Sequence, residues 1–222
     1  MRITTKVFNL LLFMATSLTL SSQGIAPRFG LHGGILYTDW EGEKVIDDKI
    51  SYEGKTGGFI GIYFIEEIRS NWHLEYGLNV SLKGFNMNGQ LVVPGVQLAA
   101  DLTNHSVYID APIAIRWVLG NESPTGFFVK AGVQFSYMVY NKIEGQVLYN
   151  GTNHYGDPES NANELNRFDI SIFPGVGYQF YNGLHFQLLY ELGLLNIVKD
   201  EDYLGVTNAY NSVIKIQIGI DL

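Results

Sequence analysis

Cysteine is absent from all 222 residues. That excludes disulfides, thiolate metal ligands, a cysteine nucleophile and a lipid-modified cysteine near the N-terminus. Charge is scarce as well: Asp, Glu, Lys and Arg make up 16 % of the chain, against roughly one quarter in ordinary soluble domains. The balance is acidic, at a net −8, and no basic run occurs. Phosphate backbones require clustered cations, so nucleic acid is excluded as a partner. Beyond the N-terminal segment no apolar run approaches the roughly 20 residues that a membrane-crossing helix needs. Proline is limited to six residues, and no Pro/Ser-rich linker or shift in composition divides the chain. One domain is expected after the leader. Glycine, at 25 residues, and aromatics, at 14 %, are plentiful instead.

Met1–Ser22 has the layout of a secretory signal. Arg2 and Lys6 form the positive start, Val7–Leu20 is mainly apolar, and Ser21 and Ser22 supply small residues for cleavage. The apolar core is too short for a spanning anchor. Residues 23–222 are therefore expected to be an exported domain.

After residue 27 the chain alternates apolar and polar residues in about eight runs, the period of a strand with two different faces. Long polar gaps fall at Glu41–Gly54, Asn86–Asn104, Asn141–Asn166 and Asn196–Asn211. Short gaps fall at Glu66–Asn71, Leu119–Gly126 and Tyr181–Gly183. The run Trp72–Lys83 is the most regular: Trp72, Leu74, Tyr76, Leu78, Val80 and Leu82 oppose His73, Glu75, Gly77, Asn79, Ser81 and Lys83. The run Thr56–Ile65 is apolar on both faces and does not declare an orientation. Pro112 and Pro174 lie inside runs and cannot donate to a ladder, so a bulge is expected at each.

Such alternation fits two inside-out versions of one shape. A soluble, lipocalin-like binder would turn its apolar face inward around an apolar ligand. A membrane barrel would turn it outward. Two features favour the second. Aromatics gather near both ends of the apolar face: Trp72, Trp117, Phe127, Phe180 and Phe186 toward the short turns, and Tyr37, Tyr137 and Phe168 toward the long loops. They are placed like the interfacial girdles of a membrane barrel. The polar face carries charges of both signs in balance, Arg28, Lys83, Arg116, Lys130 and Lys215 against Glu75, Asp110, Asp169, Glu191 and Asp221. Balanced charge suits a narrow interior where buried ions must pair. The expected fold is all-β, an eight-stranded antiparallel up-and-down transmembrane β-barrel. Its lumen is filled by side chains rather than open as a channel.

Particular segments carry a family likeness. They are Phe29-Gly30-Leu31-His32-Gly33-Gly34, Leu74 through Lys83-Gly84, Tyr108-Ile109-Asp110-Ala111-Pro112, Gly175-Val176-Gly177-Tyr178 and Leu192-Gly193-Leu194-Leu195-Asn196-Ile197. With these the chain resembles the PorT-like outer-membrane β-barrels of Gram-negative bacteria. The resemblance implies a barrel in the outer membrane with its termini in the periplasm. The family shares no catalytic motif. Its namesake's link to secretion makes an accessory role beside secretion or transport components an alternative to a structural or interaction scaffold. The terminal Leu222 departs from the aromatic end usual in such barrels.

Chemistry is weakly signalled. His105 and Ser106 are neighbours, and neighbours on a strand point to opposite faces, so they do not make a nucleophile and its base. A metal held by His32, His73 and His185 would need three strands to converge at one height. The acids Asp200-Glu201-Asp202, and Asp157 with Glu159 and Glu164, are candidates for Ca²⁺, although a hydrated acidic loop explains them as well. No enzyme, cofactor or metal site is assigned. Tyr149, Tyr155, Tyr203 and Tyr210 on polar gaps suit contact with an external protein or glycan, and outer-membrane lipid is the expected surrounding.

Overall fold

The computed structural model describes residues 27–44, 50–93, 96–120, 125–149, 152–154, 165–199 and 206–222. The leader expected at Met1–Ser22 lies outside the described residues, as do Asp157, Glu159, Glu164 and Asp200–Asp202. Ten strands are formed: β1 (Arg28–Lys44), β2 (Ile50–Arg69), β3 (Trp72–Lys83), β4 (Phe85–Val93), β5 (Val96–Val118), β6 (Gly126–Tyr149), β7 (Thr152–His154), β8 (Phe168–Gln179), β9 (Leu184–Gly193) and β10 (Val206–Asp221). β3 and β4 are successive parts of one run broken at Gly84, and β7 is a short return along the outer end of β6. What remains is a ring of eight antiparallel strands.

The ring closes between β1 and β10, in register from Gly30↔Asp221 upward. Closure is what the environment demands. In hydrocarbon every backbone N–H and C=O needs an internal partner, and a closed sheet leaves no edge. β3, β8 and β9 have 12, 12 and 10 residues, about the length that crosses a bilayer when tilted.

β5 and β6 have 23 and 24 residues, about twice that reach. The expected polar loop Asn86–Asn104 is therefore largely strand, and Asn141–Asn166 is strand over 141–149 and 152–154 among the described residues. β4 pairs with β5 from Asn86↔Thr103 to Val93↔Val96, and β5 with β6 up to Leu98↔Tyr149. The reason is physical: beyond the lipid both faces of a ribbon meet water, so neither needs an apolar stripe, and a paired strand reads like a loop. The same holds at Glu41–Gly54 and Asn196–Asn211, where β1 runs to Lys44, β2 starts at Ile50 and β10 starts at Val206.

The bulges expected at Pro112 and Pro174 do not form. The β3–β5 register holds through Tyr76↔Ile113 and Asn79↔Asp110, with the pairs opposite Pro112 missing. The β8–β9 register holds likewise through Ile172↔Leu192 and Gly175↔Leu189. Each proline removes a ladder bond without adding a residue, so the sheet stays in phase. The register shift lies instead at Val107/Tyr108, where Val107 pairs with Tyr140 and Tyr108 with Met138. The extra residue, Val139, exchanges the faces of β6 beyond it, so that Tyr140 is exposed and Asn141 is buried.

Candidate functional site

Side chains on the two faces of the ring differ in kind. The outward face along β9 and β10 presents Phe186, Leu188, Tyr190, Ile214, Ile216 and Ile218, all exposed. The inward face of the same strands buries His185, Gln187, Glu191, Lys215 and Gln217. An apolar wall outside and polar groups inside is the reverse of a soluble binder with an apolar cavity.

Each of the eight aromatics singled out at the membrane borders faces outward. Tyr37, Trp72, Trp117, Phe127, Tyr137, Phe168, Phe180 and Phe186 are between 41 % and 66 % exposed. Toward the short turns they gather in stacked and edge-on groups. Trp72 pairs in register with Trp117 and stacks on it, centroids 5.7 Å apart. Phe127 meets Tyr178 edge-on at 4.8 Å, Tyr178 meets Phe180 at 4.9 Å, and Phe180 meets Phe186 at 6.1 Å. Phe29, Phe64 and Tyr76 form a third group across β1, β2 and β3, with Phe64 5.5 Å from Phe29 and 5.6 Å from Tyr76. Toward the other end Phe168 is the register partner of Tyr137.

The charges on the inward face sort into three levels. Nearest the termini, Arg28 Nη1 donates to Asp221 Oδ2 at 2.9 Å, and Gln179 Nε2 donates to the same oxygen at 2.7 Å. Tyr63 donates its hydroxyl to Asp221, and Arg116 donates to Gln179. The guanidinium of Arg116 lies 3.6 Å above the Phe128 ring. In the middle, Glu75 accepts from Lys130 at 2.7 Å and lies 3.9 Å from Arg116. Further up, Lys83 approaches Asp110 at 3.4 Å and Glu191 at 3.9 Å. Lys215 pairs with Glu191 and lies 3.8 Å from Asp110. Asp169 takes a hydrogen bond from Asn211 at 2.8 Å.

Neutral polar groups knit these levels together. His32 meets Asn79 at 2.6 Å and Gln217 at 2.8 Å while stacking on Tyr63. Ser81 donates to Asp110 at 2.7 Å, and Gln134 donates to Glu191 at 3.1 Å. The space left among His32, Tyr63, Glu75 and Lys130 is about 20 Å³, on the order of one water. His73 and His185 are buried toward the termini. Among the described residues no three His, Cys, Asp or Glu gather as a metal site.

Two inward features were not foreseen. Phe59, Tyr63 and Ile65 are buried, with Leu36 of β1, so β2 turns aromatic and aliphatic side chains into the lumen. Glycines make the room: a Cβ on Gly30 would run into the Tyr63 ring, and one on Gly177 into Phe128. The glycine-rich stretches opposite β2 were the signal. The second feature is a lid at the end away from the termini. Leu165, Ile197 and Val198 fold inward onto Tyr108, Met138 and Ala209, with Trp40 and Ile143 against them. Asn196 fastens this lid. Its Oδ1 accepts from the backbone of Val198 and of Ala209, both at 3.0 Å, and its Nδ2 donates to Asn208 at 3.0 Å. Asn166 Nδ2 donates to the Asn196 carbonyl at 2.8 Å.

Outside the lipid-facing band, His105 points outward while Ser106 is buried between Asn104 and Asn141. Lys55 donates to His105 Nδ1 at 2.8 Å and to the Asn104 carbonyl at 3.0 Å. Partial burial and the Lys55 ammonium hold the His105 imidazole below its ordinary value. Burial lowers Lys55 as well. Lys142 donates to Glu144 at 2.5 Å, which raises Lys142 and lowers Glu144.

A closed antiparallel ring, apolar outside, charged and cross-linked inside, defines a transmembrane β-barrel. The chain belongs to the outer membrane protein beta-barrel domain family, whose model matches residues 21–199. It is an outer-membrane protein of Gram-negative type. Three solved structures are similar to it in part. Neisserial surface protein A, NspA, shares 12 % identity over 87 % of this chain and 97 % of that one, TM-score 0.44. OprG of Pseudomonas aeruginosa shares 13 % over 88 % and 96 %, TM-score 0.40. Ail, the attachment invasion locus protein of Yersinia pestis, shares 10 % over 88 % and 99 %, TM-score 0.41. No curated protein sequence matches the chain significantly.

Proposed function

We propose that this barrel is a structural or interaction scaffold and not a pore. It would hold both ends of the described chain and the short turns at Ser70–Asn71 and Tyr181–Gly183 in the periplasm, and present the β4–β5–β6 ribbon outside. The observation that carries the reading is the cross-linked lumen: Lys83, Asp110, Glu191 and Lys215 meet in its upper level, beneath an apolar lid. An ion entering there would have to break paired buried charges, each break costing on the order of 3–5 kcal/mol. Met1–Ser22 would be the export signal that delivers the chain. The PorT-like relationship and an accessory part in secretion remain a second reading. It is favoured by the projecting ribbon, which offers partners a long polar surface. No catalytic role is proposed.

The test is conductance in a planar bilayer. The purified protein is expected to add no unitary conductance above leak at neutral pH. Steady single-channel steps would overturn the sealed scaffold. Copurification of defined secretion components with the intact protein would move the assignment to the accessory role.

A further inference from the structure

The outward face of β2 reads Ile60, Ile62, Phe64, Glu66 and Ile68, an apolar row with one carboxylate in it. Alternation fixes the face of that acid: Tyr63 and Ile65 are buried in the lumen, so Phe64 and Glu66 look the other way. Register fixes its level. Glu66 pairs with Leu74, one step from the turn-side border where Arg69 pairs with Trp72. The carboxylate therefore stands on the lipid side of the wall, where hydrocarbon gives way to headgroups. Tyr76 donates its hydroxyl to Glu66 Oε1 at 2.7 Å, and the Tyr76 ring stacks on Phe64. Among the described residues no cation forms an ion pair with Glu66. Packing against an apolar row does not call for an acid, and a charge on this side of a barrel is tolerated best at the interface.

We propose that Glu66, with Tyr76 and Phe64 beside it, is a headgroup site for an aminophospholipid of the periplasmic leaflet. The lipid's ammonium would meet the carboxylate, and an acyl chain would lie along Ile62 and Leu78, which are register partners on the same wall. The match is one of charge, level and surroundings. An ammonium donates to a carboxylate in a charge-assisted bond, and aromatic rings attract the same cation. The Tyr76 hydroxyl occupies one oxygen of Glu66 and holds the group in place, which leaves the other oxygen as an acceptor. A lipid is favoured over a cationic protein segment because the surface around the acid is the apolar wall itself. Only the choice of leaflet rests on the orientation proposed above, with the termini and short turns in the periplasm.

The experiment is native mass spectrometry of the full chain in detergent, offered phosphatidylethanolamine and phosphatidylglycerol with the same acyl chains in equal amounts. Phosphatidylethanolamine is expected to be retained in preference. Glu66→Gln should lower the ratio of the two about fivefold, the scale of one half-exposed ion pair. Tyr76→Phe, which keeps the acid and removes its anchor, should lower it less. Glu67→Gln makes the same change of net charge one residue along, opposite the buried His73, and should leave the ratio unchanged. Unboiled gel mobility reports whether each variant is folded. For the wild type, phosphatidylethanolamine with its amine acetylated should be retained no better than phosphatidylglycerol, which keeps the test open if a variant does not fold.

Four results would overturn the site: equal retention of the two lipids by the wild type, equal retention of the acetylated lipid, an equal fall with Glu67→Gln, and displacement by free ethanolamine at the same concentration. Protease applied to intact cells reports the orientation separately. Cleavage of the β4–β5–β6 ribbon from outside would keep the site in the periplasmic leaflet. Cleavage at Ser70–Asn71 instead would overturn that leaflet, whatever the lipid ratio, and with it the orientation of the scaffold.

Discussion

Glu75 shows what a single residue does in this lumen. Arg116 and Lys130 are register neighbours on β5 and β6, two cations side by side, and Glu75 reaches both from β3. Removing the acid leaves two buried cations without it. Glu75→Gln is expected to destabilise the barrel by about 3–5 kcal/mol, read from urea unfolding in lipid vesicles by tryptophan fluorescence. Replacing both members of the closer pair, Glu75→Leu with Lys130→Met, should recover part of that loss, since only Arg116 is then left without the acid. If the double variant is no better than the single, the pair does not act as a unit. The outer face has its own test. Val133→Arg puts a charge on the lipid side near mid-wall and should cost about 2–4 kcal/mol by the same assay. An unchanged midpoint would mean that Val133 does not face hydrocarbon. Period-2 alternation makes the face of a residue such as Val133 or Glu75 readable from sequence alone. Which acid meets which base is not readable, because Glu75 and Lys130 are joined across the lumen from strands that are not neighbours. The orientation of β2 was hidden too. Tyr63 is admitted to the interior by Gly30 on β1, a condition that β2 alone does not display.

At the scale of elements, the lipid-facing part of each strand was legible and the part beyond it, away from the termini, was not. Trp72–Lys83 forms over the span its alternation marks. β5 and β6 exceed their marked spans because water on both faces removes the pattern that identifies strands. The lid was invisible for another reason. Leu165, Ile197 and Val198 lie in segments that read as polar gap, and their burial depends on one carboxamide, Asn196, that caps backbone from two directions. Asn196→Ala is expected to free the Val198 and Ala209 amides and cost about 1–3 kcal/mol. Hydrogen exchange should speed up at those two amides while the Lys215–Glu191 region keeps its protection. Equal protection in the variant would show that apolar packing alone holds the lid.

For the molecule as a whole, the described lumen carries paired charges and hydrogen-bonded polar groups from the termini up to the apolar lid. The closing seam adds a constraint in time. Gly30 meets Asp221, and Arg28 bonds to that same carboxylate, so the first strand of the ring waits for the last. No partial chain can complete the cylinder. Until the final strand is delivered, β1 would keep an open edge that water can satisfy and hydrocarbon cannot. Closure of the wall is therefore a late event, expected only once β10 lies beside β1.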